Sequence, residues 1–434
     1  MGRDASLYTD DYKQQPLWWE AAPPARVEHQ PLPAQADVVI VGSGYTGLTA
    51  ALPLARAGRS VLVLEAGRVG EGCSTRNGGQ ISTSIKPDYE ELAHKAGHEA
   101  AFAIRKEGQT ALAWLGELIG REGIDCDWTI AGRFHAAHNP KQYEALARSL
   151  SLQPKGLEVP YEMVPRAEQR REIGSDAYHG GVVFPAHASL HPAKYHAGLL
   201  ARAQQAGATV RDGTPVLGIE RDGRGFKVVT DQGSLQAAEV LVATNGYTGR
   251  ATPWLRRRVI PIGSYMIATE PLPPGLAATL IPRRRVITDT RKLVFYYRLC
   301  PEGRRVVFGG RVAANETDVN VSAPRLHREV VRIFPELAQT RISHSWMGTV
   351  AYTFDHLPHL GRHEGIWYAA GYCGSGVSLS TYFGTRVAQQ MLGQPEGRTA
   401  LDGVRFQTRP LYGGRPWFLP AMVRWYRVRD RLPL

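Results

Sequence analysis

The 434-residue sequence has no uninterrupted apolar run of about 18 residues, the length a membrane-crossing helix needs. Its start, MGRDASLYTDDYKQQPLWWE, carries acids and a proline where a secretory signal would carry an apolar core. The loose fit of MGRDAS to an N-myristoylation pattern is too short to carry weight. Only four cysteines occur, Cys73, Cys126, Cys300 and Cys373, with no CxxC spacing, so free thiols in a reducing compartment, the cytoplasm, are expected. Two histidine pairs, His135 with His138 and His356 with His359, have metal-ligand spacing, but no thiolate or carboxylate cluster completes either, and no metal is expected. Acid is the scarcer charge: 40 Asp and Glu stand against 52 Lys and Arg, a formal +12. The basic residues are spread along the chain, which argues against a nucleic-acid stripe. Local excess falls at Arg256–Arg258, Arg283–Arg285 and in the tail RPWFLPAMVRWYRVRDRL. That tail suits a helix packed on its own protein or a peripheral membrane contact.

What the sequence does contain is glycine in two organised places. In ADVVIVGSGYTGLTAALPLARAGRSVLVLEAG, the apolar run Val38–Val41 reads as a buried parallel strand, and Val61–Leu64 as a second. Between them Gly42, Gly44 and Gly47 form G-x-G-x-x-G, followed by a helix presenting Leu48, Leu52 and Leu54 to a core. The first glycine permits the tight turn, the second lets backbone amides approach a pyrophosphate, and the third lets helix and strand pack closely. Glu65 ends the second strand, where a carboxylate accepts from ribose hydroxyls and repels a 2'-phosphate. A dinucleotide other than NADP is therefore expected. Pro53 inside the helix should bend it or remove a bond.

A second loop, EGCSTRNGGQ, follows directly and is neither good helix nor good strand, so it reads as shaped around a ligand. A long amphipathic helix near residues 97–119 comes next, with Phe102, Trp114, Leu115, Leu118 and Ile119 on one face. An NAD-binding domain would add another parallel strand at this point; interruption of the sheet favours a longer ligand.

The segments VVIVGSGYTGLTAAL, LEAGRVGEGCSTRNGGQ, VLVATNGYTG and GYCGSGV together resemble the FAD-dependent amine and amino-acid oxidase family, which includes D-amino acid oxidase, glycine oxidase and sarcosine oxidase. The RNGGQ loop and RPWFLP tail are most similar to members of the γ-glutamylputrescine oxidoreductase type. The resemblance implies an α/β fold: a Rossmann-like FAD domain and a mixed α+β substrate domain with an antiparallel sheet. The expected FAD domain comprises residues 34–91, 186–258 and 343–394, the substrate domain 92–185 and 259–342, and residues 395–434 form a tail packed on the FAD domain. The implied cofactor contacts are Gly42, Gly44, Tyr45, Thr46, Gly47, Glu65, Ala66, Arg68, Ser74, Thr75, Arg76, Asn77, Gly78, Gly79, Gln80, Val216, Thr244, Asn245, Gly246, Gly348, Gly371, Gly374, Ser375, Gly376 and Val377. The opening loop has no histidine for covalent attachment, and Cys300 falls in a hairpin turn before the position of the attaching cysteine in sarcosine oxidases. Noncovalent FAD is expected.

Residues 192–206 read as a helix with Pro192 in its first turn and Gly207 at its end. Strands then turn at Asp231–Gly233. LVFYYRLCPEGRRVVFGGRV reads as a hairpin turning at Pro301–Gly303, with Tyr296 and Arg298 on one face and Tyr297 on the other. The resemblance makes Arg298 a partner for a substrate carboxylate, and Tyr265 and Tyr297 complete the expected catalytic set as positioning groups. Relatives commonly carry His where Ser375 stands, Gly at Thr75 and Ala at Cys73. The activity implied is removal of a hydride from the C–N carbon of an amine or amino acid, such as a γ-glutamylputrescine-like amine. The resulting imine hydrolyses, with oxygen as acceptor. The alternative is a D-amino acid or sarcosine dehydrogenase passing electrons to a membrane quinone.

Overall fold

The strand Gln35–Val41 pairs in parallel with Val61–Leu64 on one side and Gly233–Val242 on the other, as its unbroken apolar character demands. Both faces are covered. Val38, Ile40 and Val63 pack under helices with Leu48 and Leu54, while Val39, Leu62 and Val242 pack with Phe226 and Tyr368 behind. The sheet continues through Thr209–Arg211 at one edge and, at the other, through an antiparallel pair, Val216–Asp222 and Gly225–Thr230. Ile366–Ala370 joins Gly233–Val242 in parallel. The computed structural model describes residues 5–27 and 31–431; the first four residues of MGRDAS lie outside this range.

The first helix spans Tyr45–Arg56, with Leu48, Leu52 and Leu54 buried as the sequence requires, and it ends three residues after Pro53. The long helix begins at His98 and ends at Glu122, separated by Gly97 from a shorter one, Tyr89–Ala96. Leu115, Leu118 and Ile119 are buried on its inner face, but Phe102 is 37% exposed and belongs to the outer face. The inner face joins the core of the nucleotide sheet, not that of the second sheet, so 92–122 packs with the unit opposite to the one expected.

The second sheet has nine strands in the order Tyr8–Lys13, Ile342–Tyr352, Ile260–Thr269, Val306–Gly310, Tyr296–Leu299, Val286–Asp289, Arg133–Ala136, Gly181–Phe184, Glu162–Val164. A domain boundary at 343 thus falls inside a strand of this sheet. One face packs on the helix Val319–Ile333 and holds Phe134, Ile267, Ile287 and Phe308. The C-terminal helix, Leu419–Arg431, buries Leu419 and Val423. Its Asp430 accepts from the amides of Lys292 and Leu293, between two strands of the large sheet, so the tail is anchored there as well as beside the nucleotide unit. Among the described residues no helix is long and apolar enough to cross a membrane, and the four cysteines are free.

Candidate functional site

The first glycine turn is built as its spacing dictates. Gly42 has φ +104°, and a Cβ on Gly47 would sit 2.0 Å from the Gly42 carbonyl oxygen, so only glycine lets the helix rest on the strand end. Glu65 turns its carboxylate back over this loop: the amide and hydroxyl of Ser43 donate to Oε2 at 3.0 and 2.7 Å, and the Gly67 amide donates to Oε1 at 3.2 Å. Ala66 and Arg68 lie exposed beside it, and Val216 begins a strand nearby in the same sheet. Beneath the turn, His196 Nε2 pairs with the Ser43 carbonyl at 2.8 Å; burial holds that imidazole's pKa below its ordinary value.

The opening loop leans directly on this helix. Ser74 Oγ accepts from the Tyr45 amide at 3.0 Å. The loop's other side chains mostly face inward and brace its backbone. Thr75 Oγ1 donates to the Gly70 carbonyl at 2.5 Å, and Asn77 Nδ2 donates to the Ser74 carbonyl at 2.8 Å. Asn77 Oδ1 takes the Gly79 amide at 2.8 Å, while Arg76 donates to the Glu71 and Met347 carbonyls. Gln80 donates to the Tyr297 carbonyl at 3.2 Å. Three indoles hold the loop from outside: Trp18 donates to the Asn77 carbonyl, Trp19 to Thr75 Oγ1 and Trp346 to the Arg76 carbonyl, at 2.8, 2.9 and 2.8 Å. Sequence reading missed these tryptophans; the pair in QPLWWE, in an otherwise polar N-terminus, was the available signal. Thr75 and Arg76 thus act on the loop itself, through packing and backbone bonds.

The second glycine turn meets the first. Thr46 Oγ1 and Tyr372 Oη are 2.7 Å apart, tying the first turn of the Tyr45–Arg56 helix to the segment before the Gly376–Met391 helix. Asn245, at φ +44°, takes the Gly371 amide on Oδ1 at 2.9 Å, which explains why Thr244, Asn245 and Gly246 accompany this turn. Gly374 and Ser375 precede the helix, Val377 is buried in its first turn, and Ser375 supplies no side-chain cap, so the amide end of the helix is left for an anion. Gly348 is buried against Cys73 and Arg76 of the opening loop.

The large sheet turns its second face to these turns. Met266 packs there with Trp18 and Trp346, and Tyr296 lies against Gly78, its hydroxyl 2.8 Å from Ser264 Oγ. Strand alternation and pairing place Thr288, His135 and Arg133 on the same side. Tyr265 and Tyr297, expected in the pocket, are on the other face. Tyr265 donates to Glu316 and receives the Thr317 amide, both at 2.8 Å. Tyr297 stacks on Phe308 and donates to Tyr178 at 3.0 Å. Period-two geometry already separated Tyr297 from Tyr296; it could not say which face was core. Arg298 does share the Tyr296 side, but its Nη2 donates to the Leu190 carbonyl at 2.6 Å and its guanidinium lies over Trp18 at 5.1 Å. Burial lowers its pKa to about 10, against smaller opposing contributions that include Asp127 and Glu302.

The spaced histidines have other partners: His135 and His138 pair with Thr288 and Thr290, and His359 with Asp355.

Residues 37–390 match the protein-family profile described as DAO, FAD dependent oxidoreductase. Over 401 residues the chain is 33% identical to γ-glutamylputrescine oxidoreductase of Escherichia coli, covering 91% of this chain and 93% of that protein. It is 31% identical over 422 residues to a probable oxidoreductase, OrdL, of Rhizobium meliloti, covering 95% and 97%. In structure it is similar to glycine oxidase of Geobacillus kaustophilus, with TM-score 0.69 and 22% identity over 87% of this chain and 99% of that one.

Proposed function

The chain belongs to the FAD-dependent oxidoreductase family, and on that premise we propose that it oxidises the C–N bond of a primary or secondary amine of the γ-glutamylputrescine kind, with oxygen as acceptor. One arrangement carries the reading: two glycine turns whose helices have no side-chain bond from their own N-cap residues, joined through Thr46 and Tyr372, with an opening loop braced against them under a sheet face that presents Ser264 and Tyr296. Bound FAD would supply the redox chemistry, accepting the hydride that leaves the amine-bearing carbon.

The chain's own residues bind, orient and exclude water. The amide ends of the Tyr45 and Gly376 helices suit the cofactor's phosphates and its electron-rich ring edge. Glu65 would accept from ribose hydroxyls, and the backbone of the opening loop would help to hold the cofactor. The phenol of Tyr296, its pKa pushed up by burial, stays neutral and positions the substrate as a hydrogen-bond donor. No carboxylate is needed as base if the amine binds unprotonated; the imine then takes up water to give a carbonyl compound, releasing ammonia from a primary amine or the smaller amine from a secondary one, while oxygen is reduced to hydrogen peroxide. We assign FAD a noncovalent attachment.

Anaerobic mixing with a panel of γ-glutamyl amines, simple amines and D-amino acids tests the reading: a γ-glutamyl amine should bleach the flavin fastest. Bleaching only by D-amino acids, or by none, would overturn it. Transfer to a membrane quinone is the second reading, favoured by Trp425 and Val428, 59% and 50% exposed on the C-terminal helix beside Arg424 and Arg429. Sedimentation with anionic vesicles separates the two.

A further inference from the structure

Some recessed basic groups here meet an acid, as Arg285 meets Glu172 and Arg291 meets Asp289, and others, such as Arg105 and Arg298, donate to backbone carbonyls. Lys86 and Arg133 do not. Arg133 lies on the sheet face that looks toward the glycine turns, its guanidinium 5.0 Å over the Phe184 ring and its buried Nε without a partner. Burial alone lowers its pKa, to about 10, with no acid opposing. Lys86 lies in the segment after the opening loop, its side chain open to solvent yet set deep among protein atoms. Its Cε is 3.9 Å from the place a Cβ on Gly374 would take, so the ammonium stands beside the second glycine turn. Burial lowers its pKa first, the Cys373 thiol opposes this, the Arg133 charge lowers it further, and no carboxylate contributes.

The backbone that carries each cation is braced. Arg105 donates to the carbonyls of Ile85 and Pro87, on either side of Lys86, at 2.6 and 3.1 Å. Arg285 donates to the Ala131 carbonyl at 2.7 Å, two residues before Arg133. A third donor stands close by: the Thr83 amide and hydroxyl approach His187 Nε2 at 3.5 and 3.3 Å, which leaves the proton on Nδ1, and Nδ1 is buried with no partner. His187 and His135 are neutral, since burial first and the Arg133 charge second lower their pKa values to about 2 and about 3.

Two cations on braced backbone, neither with a carboxylate partner, beside a neutral donor, form a receptor for an anion. We propose that Lys86 and Arg133 seat a carboxylate carried by the substrate at a distance from the amine that is oxidised. This rests on the amine-oxidising reading above and gives it a substrate class, amines bearing a remote carboxylate. Arg298, engaged with Leu190 and Trp18, holds the loop instead.

The test uses the FAD-loaded protein and two measurements. Calorimetric titration with glutarate should show binding that Lys86→Met and Arg133→Met each weaken by at least about tenfold, and that Lys86→Arg largely restores. In anaerobic bleaching, γ-glutamylputrescine should half-saturate at a concentration at least about tenfold below that of γ-aminobutyrylputrescine, which lacks only the carboxylate, and Lys86→Met should erase the preference. Unchanged glutarate binding in both variants overturns the proposal. So does a wild type indifferent to the carboxylate, or a Lys86→Met defect confined to flavin potential or reoxidation. If Arg133→Met fails to fold, Lys86→Met decides. If no amine bleaches the flavin, the oxidation reading fails while the glutarate titration still judges the anion seat.

Discussion

Replacing Gly47 with alanine separates the two roles of the first glycine turn. The added Cβ would lie 2.0 Å from the Gly42 carbonyl oxygen, and real contacts of this kind essentially never fall below 3.0 Å, so helix and strand end must part by at least 1.0 Å. The obstacle is backbone on both sides, which no rotamer change relieves. Overpacking of this sort costs about 1–3 kcal/mol, or roughly 1–3 °C in melting temperature for a chain this large. Gly44→Ala is the control. Its Cβ would meet Ser74 Oγ at 2.9 Å, a hydroxyl that can rotate away at the loss of its bond from the Tyr45 amide, so the apoprotein should lose about 0.5–1.5 kcal/mol. In the proposed cofactor seat a pyrophosphate would approach the backbone at Gly44, so FAD affinity should still fall by at least about tenfold. Gly47→Ala should therefore lower both the apoprotein melting temperature and the flavin content, and Gly44→Ala chiefly the flavin content. Circular dichroism melts of the apoproteins and the visible flavin absorbance of the purified holoproteins read the two quantities. A Gly47→Ala protein that melts and loads like wild type would refute the close-packing argument.

Three further outcomes follow from the same geometry. Gly120 is exposed in the long helix, and a Cβ added there would meet nothing within 4 Å, so Gly120→Ala should stabilise by about 0.5–1 kcal/mol in urea unfolding. His191 caps the Pro192–Gln205 helix by accepting from Lys194; burial, against an opposing pull from Asp127, lowers its pKa to about 4. The unfolded chain therefore takes that proton first as pH falls below about 6.5, and folding stability is lost down to about pH 4. His191→Asn keeps a cap acceptor without the proton, so between about pH 7 and 4.5 wild type should lose about 2–3 kcal/mol more than the variant; equal losses would remove this account. Acid precipitation of the holoprotein should release yellow chromophore to the supernatant, and colour kept in the pellet would show a covalent bond.

The nucleotide turn was legible because its signals are local: two apolar strands, three glycines and an acid within one stretch, each specifying its neighbour's geometry. The opening loop was legible as a loop, but its inward-facing Thr75, Arg76 and Asn77 were not, because their partners include Met347 and the indoles of Trp18, Trp19 and Trp346, supplied from distant parts of the chain. The same limit applied to the tyrosines. Alternation put Tyr296 and Tyr297 on opposite faces, and the choice between core and pocket came from the Val319–Ile333 helix, which covers one face and leaves the other.

Charge shows the limit most sharply. A net excess of 12 positive charges is plain from the composition, but not which of them lack partners. Folding answers this residue by residue: Glu122 takes Arg56, Glu172 takes Arg285, Asp289 takes Arg291, and each acid arrives from wherever the packing brings it. Lys86 and Arg133 have no motif spacing and lie on different elements, so nothing in the sequence marks them. They become a pair because the strand bearing Arg133 faces the glycine turn beside Lys86, where desolvation raises the cost of leaving a cation unmatched. A surface charge excess can be left to solvent; a recessed one calls for an anion, and in a site that oxidises amines the substrate is the molecule that can bring it.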